Sequence, residues 1–260
     1  MKPVHIIAIT ASLFLSSCAS MHKPIQVGVK ADVKVIDLVR IEYDDMLKIR
    51  RLNPFLALMG TSAMVLMDSG IILYQESEYE KRANDVSTIS SKQFQEVLVR
   101  KLKKNGYKIR LSKLRYWDYF KPANKKLRST SDGILRIKLD QLGFWSDGLG
   151  VPYSASIFVI AELIDPVTRE TLYLDRFAVG IHEKSLRLFS AYTGPIHHIN
   201  RSPHPSYDNF RDLLANPKES REDLLQVVRN AALRIGKGMQ NVNSRNYVAY
   251  ESKDVKLLIP

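Results

Sequence analysis

Residues 134–140 alternate between apolar and charged side chains, and this alternation limits most strongly what the chain can fold into. They read Ile-Leu-Arg-Ile-Lys-Leu-Asp. Because successive side chains of a strand point to opposite faces, the pattern predicts a strand with one buried and one polar face. The β-branched and apolar composition of residues 153–164 and 171–179 is typical of strands. Residues 165–170 between them read Asp-Pro-Val-Thr-Arg-Glu. A turn of this composition predicts an antiparallel pair.

Two segments with helical periodicity accompany these strands. Ser90, with Gln93 three residues later, predicts a helix start, and Asn105-Gly106 predicts its end because glycine accepts the left-handed C-terminal turn. Residues 107–111 then alternate as a strand does. Ser220 predicts the start of a second helix. The apolar face of that helix is formed by Leu224, Val228, Ala231 and Ile235. We therefore expect an α+β fold, with a mostly antiparallel sheet and helices packed on one face.

The first 20 residues form a segment of a different kind. A charged start at Lys2 is followed by a short apolar run that reaches Cys18, the only cysteine of the chain. An apolar run of about a dozen residues is too short to span a bilayer, which takes roughly 20. The segment therefore predicts a cleaved export signal.

The residues Leu15-Ser16-Ser17-Cys18 resemble the lipobox of bacterial lipoproteins. The resemblance implies cleavage before Cys18, lipidation of that cysteine with acyl chains such as palmitate, and a permanent membrane anchor. Ala19 and Ser20 follow without an aspartate, which in this family implies the outer membrane, with the body facing the periplasm. An ordinary secretory signal is the alternative, and it would give Cys18 no special role.

The expected organisation follows from these segments. Residues 1–17 are the signal peptide and residues 18–24 a lipidated tether. Residues 25–245 form the α+β periplasmic domain, which includes an apolar helical insertion at residues 54–75. Residues 246–260 form a polar tail.

Charge and composition limit the classes of molecule that the chain is expected to bind. The chain of 260 residues has 45% hydrophobic and 25% charged residues, which are ordinary values for a globular domain. Its formal net charge is +12. A periplasmic location excludes nucleic acid and leaves acidic lipid head groups, glycans or an acidic protein face as partners. A solvated basic surface without a partner explains the charge equally well.

Residues 55–74 form the longest apolar stretch, with Asp68 as their only charged side chain. Three interpretations stay open: a buried helix broken near residues 68–70, a surface that docks against a partner or another copy, and insertion into the bilayer. A carboxylate in the membrane costs a few kcal/mol, which disfavours the last. The partner-binding candidates in this stretch are Phe55, Leu58, Met64, Leu66 and Asp68.

The loop at residues 115–128 mixes aromatic and basic side chains, with Trp117 and Tyr119 as further partner-binding candidates. Such a loop can hold a sugar or a phosphate, or fold its rings onto the domain. A second loop contains the weak metal-ligand candidates His197, His198, His204 and Asp208. Their spacing matches no known zinc pattern, so we expect no metal and no cofactor.

No sequence signature of an enzyme is present: the chain has no Gly-x-Ser-x-Gly, no phosphate-binding glycine loop and no His-Glu-x-x-His. Residues 88–180 resemble the small α/β domain of periplasmic accessory lipoproteins, which include transporter-auxiliary, cell-wall synthase activator and curli-type secretion lipoproteins.

The resemblance implies a non-enzymatic accessory or scaffold in an envelope assembly, secretion or transport complex, with envelope proteins as partners. The alternatives are an envelope glycan or lipid hydrolase that uses the His-rich loop, and a bilayer-inserting or ring-forming component that uses residues 55–74. Self-association of the chain stays open.

Overall fold

The computed structural model describes residues 22–23, 32–43, 47–51, 74–83, 86–146, 152–180, 197–199 and 207–240. The strands are β1 His22–Lys23, β2 Val35–Leu38, β3 Glu42–Tyr43, β4 Lys48–Arg51, β5 Lys108–Leu111, β6 Gly133–Ser146, β7 Ser154–Ile164, β8 Thr171–Val179 and β9 His197–Ile199. The helices are α1 (residues 74–83), α2 Val86–Lys104, α3 Tyr116–Tyr119, α4 Lys125–Arg128, α5 Phe210–Ala215 and α6 Pro217–Gly238, with a 3-10 turn at Pro122–Asn124.

The described strands form one mixed sheet in the order β1-β8-β7-β6-β2-β5, with β3 and β4 paired to β6 and β9 paired to β8. The three longest strands are antiparallel neighbours, as predicted. The shorter strands β2, β3 and β4 join β6 in parallel, and β5 joins β2 in parallel. The α+β class is therefore confirmed, with parallel strands added beside an antiparallel centre.

The alternation at residues 134–140 is confirmed in β6. Leu135, Ile137 and Leu139 are buried, whereas Arg136 and the other charged positions are only partly buried. The strand continues to Ser146, past an irregularity in its pairing with β7 between Asp140 and Gly143. β6 therefore presents one face to the core and one polar face to the opposite side of the sheet.

The turn between β7 and β8 forms where it was predicted. One carboxylate oxygen of Asp165 accepts hydrogen bonds from the backbone N–H groups of Val167, at 2.7 Å, and Thr168, at 2.8 Å. These bonds satisfy donors that the strand ladder cannot reach. Asp165 thus sets the turn that pairs the two strands.

Helices α2 and α6 cover the apolar face of the sheet. Phe94, Leu98 and Leu102 of α2 are fully buried in the same cluster as the predicted apolar face of α6. Gly106 ends α2 with φ of 95°, as predicted. The predicted helix starts are wrong, because α2 begins at Val86 and α6 at Pro217. Ser90 and Ser220 are fully buried inside the helices.

Two glycines near the end of α6 bring this helix close to its neighbours. A Cβ on Gly236 would lie 2.2 Å from Cγ of Lys101 in α2, and a Cβ on Gly238 would lie 2.7 Å from the hydroxyl of Tyr173 in β8. Such separations are shorter than atomic contact allows. The glycines therefore permit close packing of α6 against both α2 and the sheet.

The opposite face of the sheet carries a second, smaller apolar cluster. Tyr116 and Tyr119 of α3 are buried there. Their apolar partners from the sheet are Val39, Ile134 and Ile164. Because of this cluster, α3 lies against the polar face of the sheet, which the sequence pattern alone leaves open to solvent.

Candidate functional site

A partly exposed group of rings and cations lies where α3 meets the polar face of the sheet. It consists of Tyr116, Trp117, Phe120, Arg136 and Arg169, and we call it the aromatic–basic surface. The burial of Tyr119, which is only 1% exposed, fixes the short helix that carries the rings. The indole of Trp117 points outward and is 68% exposed. The surface thus combines a rigid support with an accessible aromatic group.

Arg136 joins the strand to the rings. Its guanidinium carbon lies 4.7 Å from the centroid of the Tyr116 ring and 5.7 Å from that of Trp117. At these separations the negative face of an aromatic ring attracts a cation. Nη2 of Arg136 also donates a hydrogen bond of 3.1 Å to Glu42 in β3. Arg136 is therefore held in place from two sides.

The three rings support one another by edge-to-face contacts. The centroids of Tyr116 and Trp117 are 4.8 Å apart with an interplanar angle of 73°, and those of Tyr116 and Phe120 are 5.3 Å apart with an angle of 75°. Arg169, in the turn between β7 and β8, places its guanidinium carbon 4.8 Å from the Phe120 centroid. The turn that joins the long strands thereby also contributes a cation to this surface.

Burial raises the pKa of the Tyr116 hydroxyl, and the nearby carboxylate of Glu162 raises it further. The phenol is therefore uncharged at neutral pH. An exposed indole beside Arg136, with Arg169 against the neighbouring Phe120 ring, suits a ligand with an apolar or planar face and an adjacent negative charge. Such an arrangement provides binding energy, and none of its five side chains is an activated nucleophile.

A buried polar cluster lies on the other side of the sheet, where α1 meets α6. The hydroxyls of Tyr79 and Ser220 are 2.8 Å apart, and the hydroxyl of Tyr207 donates a hydrogen bond of 2.6 Å to Asp223. Burial raises the pKa of both tyrosines above its ordinary value, and for Tyr207 the hydrogen bond to Asp223 raises it further. These four side chains are buried and connect helices, so we assign them to the packing of the fold.

The structure places only some of the predicted site residues. Trp117 is exposed in the aromatic–basic surface, whereas Tyr119 is buried beneath it and supports the helix from inside. The residues Cys18, Phe55, Leu58, Met64, Leu66, Asp68 and His204 lie outside the described part of the chain. The roles predicted for them stay predictions.

The structure describes only part of the His-rich loop. The backbone of His197 and His198 forms β9, parallel to Phe177 and Ala178 of β8, and Asp208 is exposed. Among the described residues, no group of three or more histidine, cysteine, aspartate or glutamate side chains is arranged to hold a metal ion. In the same part of the chain, no helix has the length and apolar character needed to cross a membrane.

Sequence reasoning missed the two cations of the aromatic–basic surface. The alternation of β6 places Arg136 on the polar face, and the turn composition places Arg169 at a loop tip, but neither signal shows that they meet the same rings. Arg169 has φ of 63°, a left-handed conformation that few non-glycine residues adopt. The contacts of Arg136 and Arg169 with the rings depend on the tertiary fold, which brings these distant residues together.

The chain has only distant structural similarity to known proteins. No family model and no curated protein matches the chain. A PelC dodecamer from Paraburkholderia phytofirmans is similar in structure, with a TM-score of 0.39, 10% identity, and coverage of 85% of this chain and 96% of that chain. A DUF330-family protein from Xanthomonas campestris has a TM-score of 0.35 and 10% identity, with coverage of 80% and 85%.

A hypothetical protein from Chlamydia trachomatis has a TM-score of 0.34 and 11% identity, with coverage of 80% of this chain and 98% of that chain. TM-scores of this size support no conclusion about family or function.

Proposed function

We propose that this chain is an outer-membrane lipoprotein that faces the periplasm and acts by binding, as a non-enzymatic accessory or scaffold in an envelope assembly, secretion or transport complex. The location rests on the sequence around Cys18, which resembles a lipobox and contains the only cysteine of the chain. A lone cysteine has no disulfide partner within the chain, so lipidation accounts for its position better than a structural role does.

The observation that carries the binding role is the exposure of Trp117. A side chain of this size gains most from leaving water, yet 68% of it stays exposed on a helix that is otherwise packed against the sheet. Tyr116 and Arg136 hold its surroundings in place, so little conformational freedom is lost when a partner binds. An ordered, exposed tryptophan is typical of the centre of a binding surface.

Charge indicates the kind of partner. Arg136 and Arg169 belong to the aromatic–basic surface, and the exposed residues Arg115 and Lys121 lie at the two ends of α3. Only part of this positive charge is balanced: Glu42 and Asp118 form ion pairs with Arg136 and Lys121, and Glu162 lies opposite Arg136 in the neighbouring strand. We expect an acidic face of an envelope protein to bind here, with its carboxylates near the guanidinium groups and an apolar side chain against the indole.

The mechanism is positional. Acyl chains on Cys18 would hold the domain at the membrane surface, where the tether raises the local concentration of the aromatic–basic surface near other membrane-bound proteins. The anchor would supply proximity, and the rings and cations would supply selectivity. No chemical step is needed for such a protein to assemble or stabilise a complex.

Two sets of variants test the proposal. Cys18→Ala should shift the protein from the envelope membranes to the soluble fraction, as measured by fractionation and immunoblotting. Trp117→Ala in the anchored protein should reduce recovery of crosslinked partners, whereas Leu233→Ala, which removes a 43% exposed side chain from α6, should not.

Retention of the Cys18→Ala protein in the membranes to the parental extent would overturn the anchor. Unchanged partner recovery with Trp117→Ala would overturn the binding role of the aromatic–basic surface. The two results are independent, because the first concerns location and the second concerns contact.

A further inference from the structure

The edge of the sheet at β5 carries backbone groups that are unpaired within the described chain. β5 is the last strand in the sheet order, with β2 on its inner side. The N–H groups of Lys108 and Ser112 donate to carbonyls at the β2 side. Since successive residues of a strand alternate, the N–H and C=O groups of Ile109 and Leu111 point to the outer side, where no described strand lies.

A shallow, open groove lies between α2 and the end of β5 at this edge. It is lined by Gln95, Glu96, Val99, Arg100, Lys103 and Leu111. Leu111 is 59% exposed although it lies on the same face of β5 as Ile109, which packs against the main core. Among the described residues the core therefore ends at β5, where the apolar side chain of Leu111 is exposed next to the half-buried Val99. One more strand at this position would continue both the sheet and the core.

The rim of the groove is basic. Arg100 and Lys103 of α2 are exposed, and neither has a carboxylate partner among the described residues. Lys108 and Arg110 of β5 point to the opposite face of the sheet, where Arg110 pairs with Asp37. Glu96 is the one acidic side chain of the groove. Like charges around an unpaired edge disfavour a basic strand and favour an acidic one.

We infer that the β5 edge binds an extended, acidic segment of a partner protein, which adds a strand to the sheet and packs an apolar side chain against Val99 and Leu111. Main-chain hydrogen bonds would supply affinity, and the groove and its basic rim would supply selectivity. A carboxylate-rich run of this chain itself, at Glu76, Glu78 and Glu80, already lies in α1. This favours a partner protein over a second copy as the source of the segment.

The β5 edge is separate from the aromatic–basic surface, so the inference goes beyond the proposed function and can fail independently of it. The probe is a phage-displayed library of random peptides of about eight residues, a common strand length, selected on the full-length protein in detergent. We expect the selected peptides to be enriched in acidic residues that alternate with apolar ones. The affinity of one such peptide is then measured by fluorescence anisotropy.

Leu111→Pro is the decisive variant. It removes an N–H group that points away from β2, at a position where an edge strand tolerates proline, and it also replaces the leucine side chain. We expect it to weaken peptide binding at least about tenfold, whereas Leu111→Ala, which keeps the N–H group, should weaken binding less. Thermal unfolding of both variants checks that the fold is retained.

A double charge reversal, Arg100→Glu with Lys103→Glu, serves as a second test that leaves β5 untouched. It should remove the preference for acidic peptides over basic ones. Selection of no peptides, selection of peptides without acidic enrichment, or equal binding by Leu111→Pro would overturn the inference. If the parent is oligomeric in detergent and Leu111→Pro makes it monomeric, the segment comes from a second copy and the assignment to another protein is wrong.

Discussion

Gly143 of β6 lies so close to Lys48 of β4 that a Cβ on the glycine would be 1.7 Å from the carbonyl oxygen of Lys48. The contact is with the backbone, which cannot move aside as a flexible side chain can. Gly143 therefore permits the parallel pairing of β4 with β6, in which these two residues are register partners.

Gly143→Ala should lower the free energy of unfolding by about 3 kcal/mol or more, because the added methyl group separates the two strands. Gly106→Ala is a useful comparison: a Cβ there has open space, but φ is 95°, so the cost should be about 1–2 kcal/mol. Urea unfolding followed by circular dichroism measures both. A Gly143→Ala protein as stable as the parent would show that β4 does not pair in this register.

Truncation of Trp117 and truncation of Tyr119 should have very different effects on the free energy of unfolding. Trp117→Ala removes an exposed ring and should change the free energy of unfolding by less than about 0.5 kcal/mol. Tyr119→Ala removes a side chain that is 1% exposed and should cost about 3 kcal/mol or more. Thermal unfolding of the two variants under the same conditions is the measurement. Similar losses for both would contradict the placement of α3.

Asp132 links the start of β6 to the start of β2. Its Oδ2 accepts hydrogen bonds from the backbone N–H groups of Lys34, at 2.9 Å, and Val35, at 2.7 Å. Asp132→Ala should cost about 1–2 kcal/mol, because two strand-end donors lose their acceptor. Asp132→Asn keeps an acceptor oxygen and should cost less. Equal stability of Asp132→Ala and the parent in denaturant titrations would exclude the link.

Alkaline pH should destabilise the fold through Tyr107. Burial raises the pKa of its hydroxyl from 10.0 to about 12, and this hydroxyl donates to the carbonyl of Met239. The pKa of Tyr107 is higher in the folded state than in the unfolded state. The free energy of unfolding therefore keeps its full value below pH 10 and falls as the pH rises towards 12. A shift of this size corresponds to about 2–3 kcal/mol.

Tyr107→Phe should therefore reduce the loss of stability between pH 10 and 12, although it costs about 1 kcal/mol at neutral pH through the missing hydrogen bond. Denaturant titrations at pH 7, 10 and 12 compare the two proteins. If the free energies of unfolding of the two proteins fall by the same amount between pH 10 and 12, Tyr107 is not the group that titrates.

Local patterns in the sequence predicted the centre of the sheet well. The alternation around Ile137 and the turn at Asp165 depend on neighbours within a few residues, and the structure confirms both. The helix starts were misplaced because Ser90 and Ser220 have the residue type of a cap but lie inside helices, and Ser220 instead pairs with the distant hydroxyl of Tyr79. A side chain's remote partner leaves no local signal.

The same reason limits what could be predicted about the candidate site. Trp117 stood out as an aromatic residue in a basic loop, but its support by Arg136 comes from a strand that follows later in the chain. The parallel pairing of β2 with β6 could not be predicted either. β2 has only a short β-branched pattern, and no short turn connects it to β6. Contacts distant in sequence had to come from the structure.

The parallel pairing of β2 with β6 also has a kinetic consequence. Ile36 pairs with Gly133, far along the chain, whereas β6, β7 and β8 are joined by short connections. Contacts between distant segments form slowly, because the chain must first close a large loop. The antiparallel centre should therefore assemble first and provide the template on which β2 docks. During synthesis, the N-terminal strands therefore fold only after the middle of the chain is available.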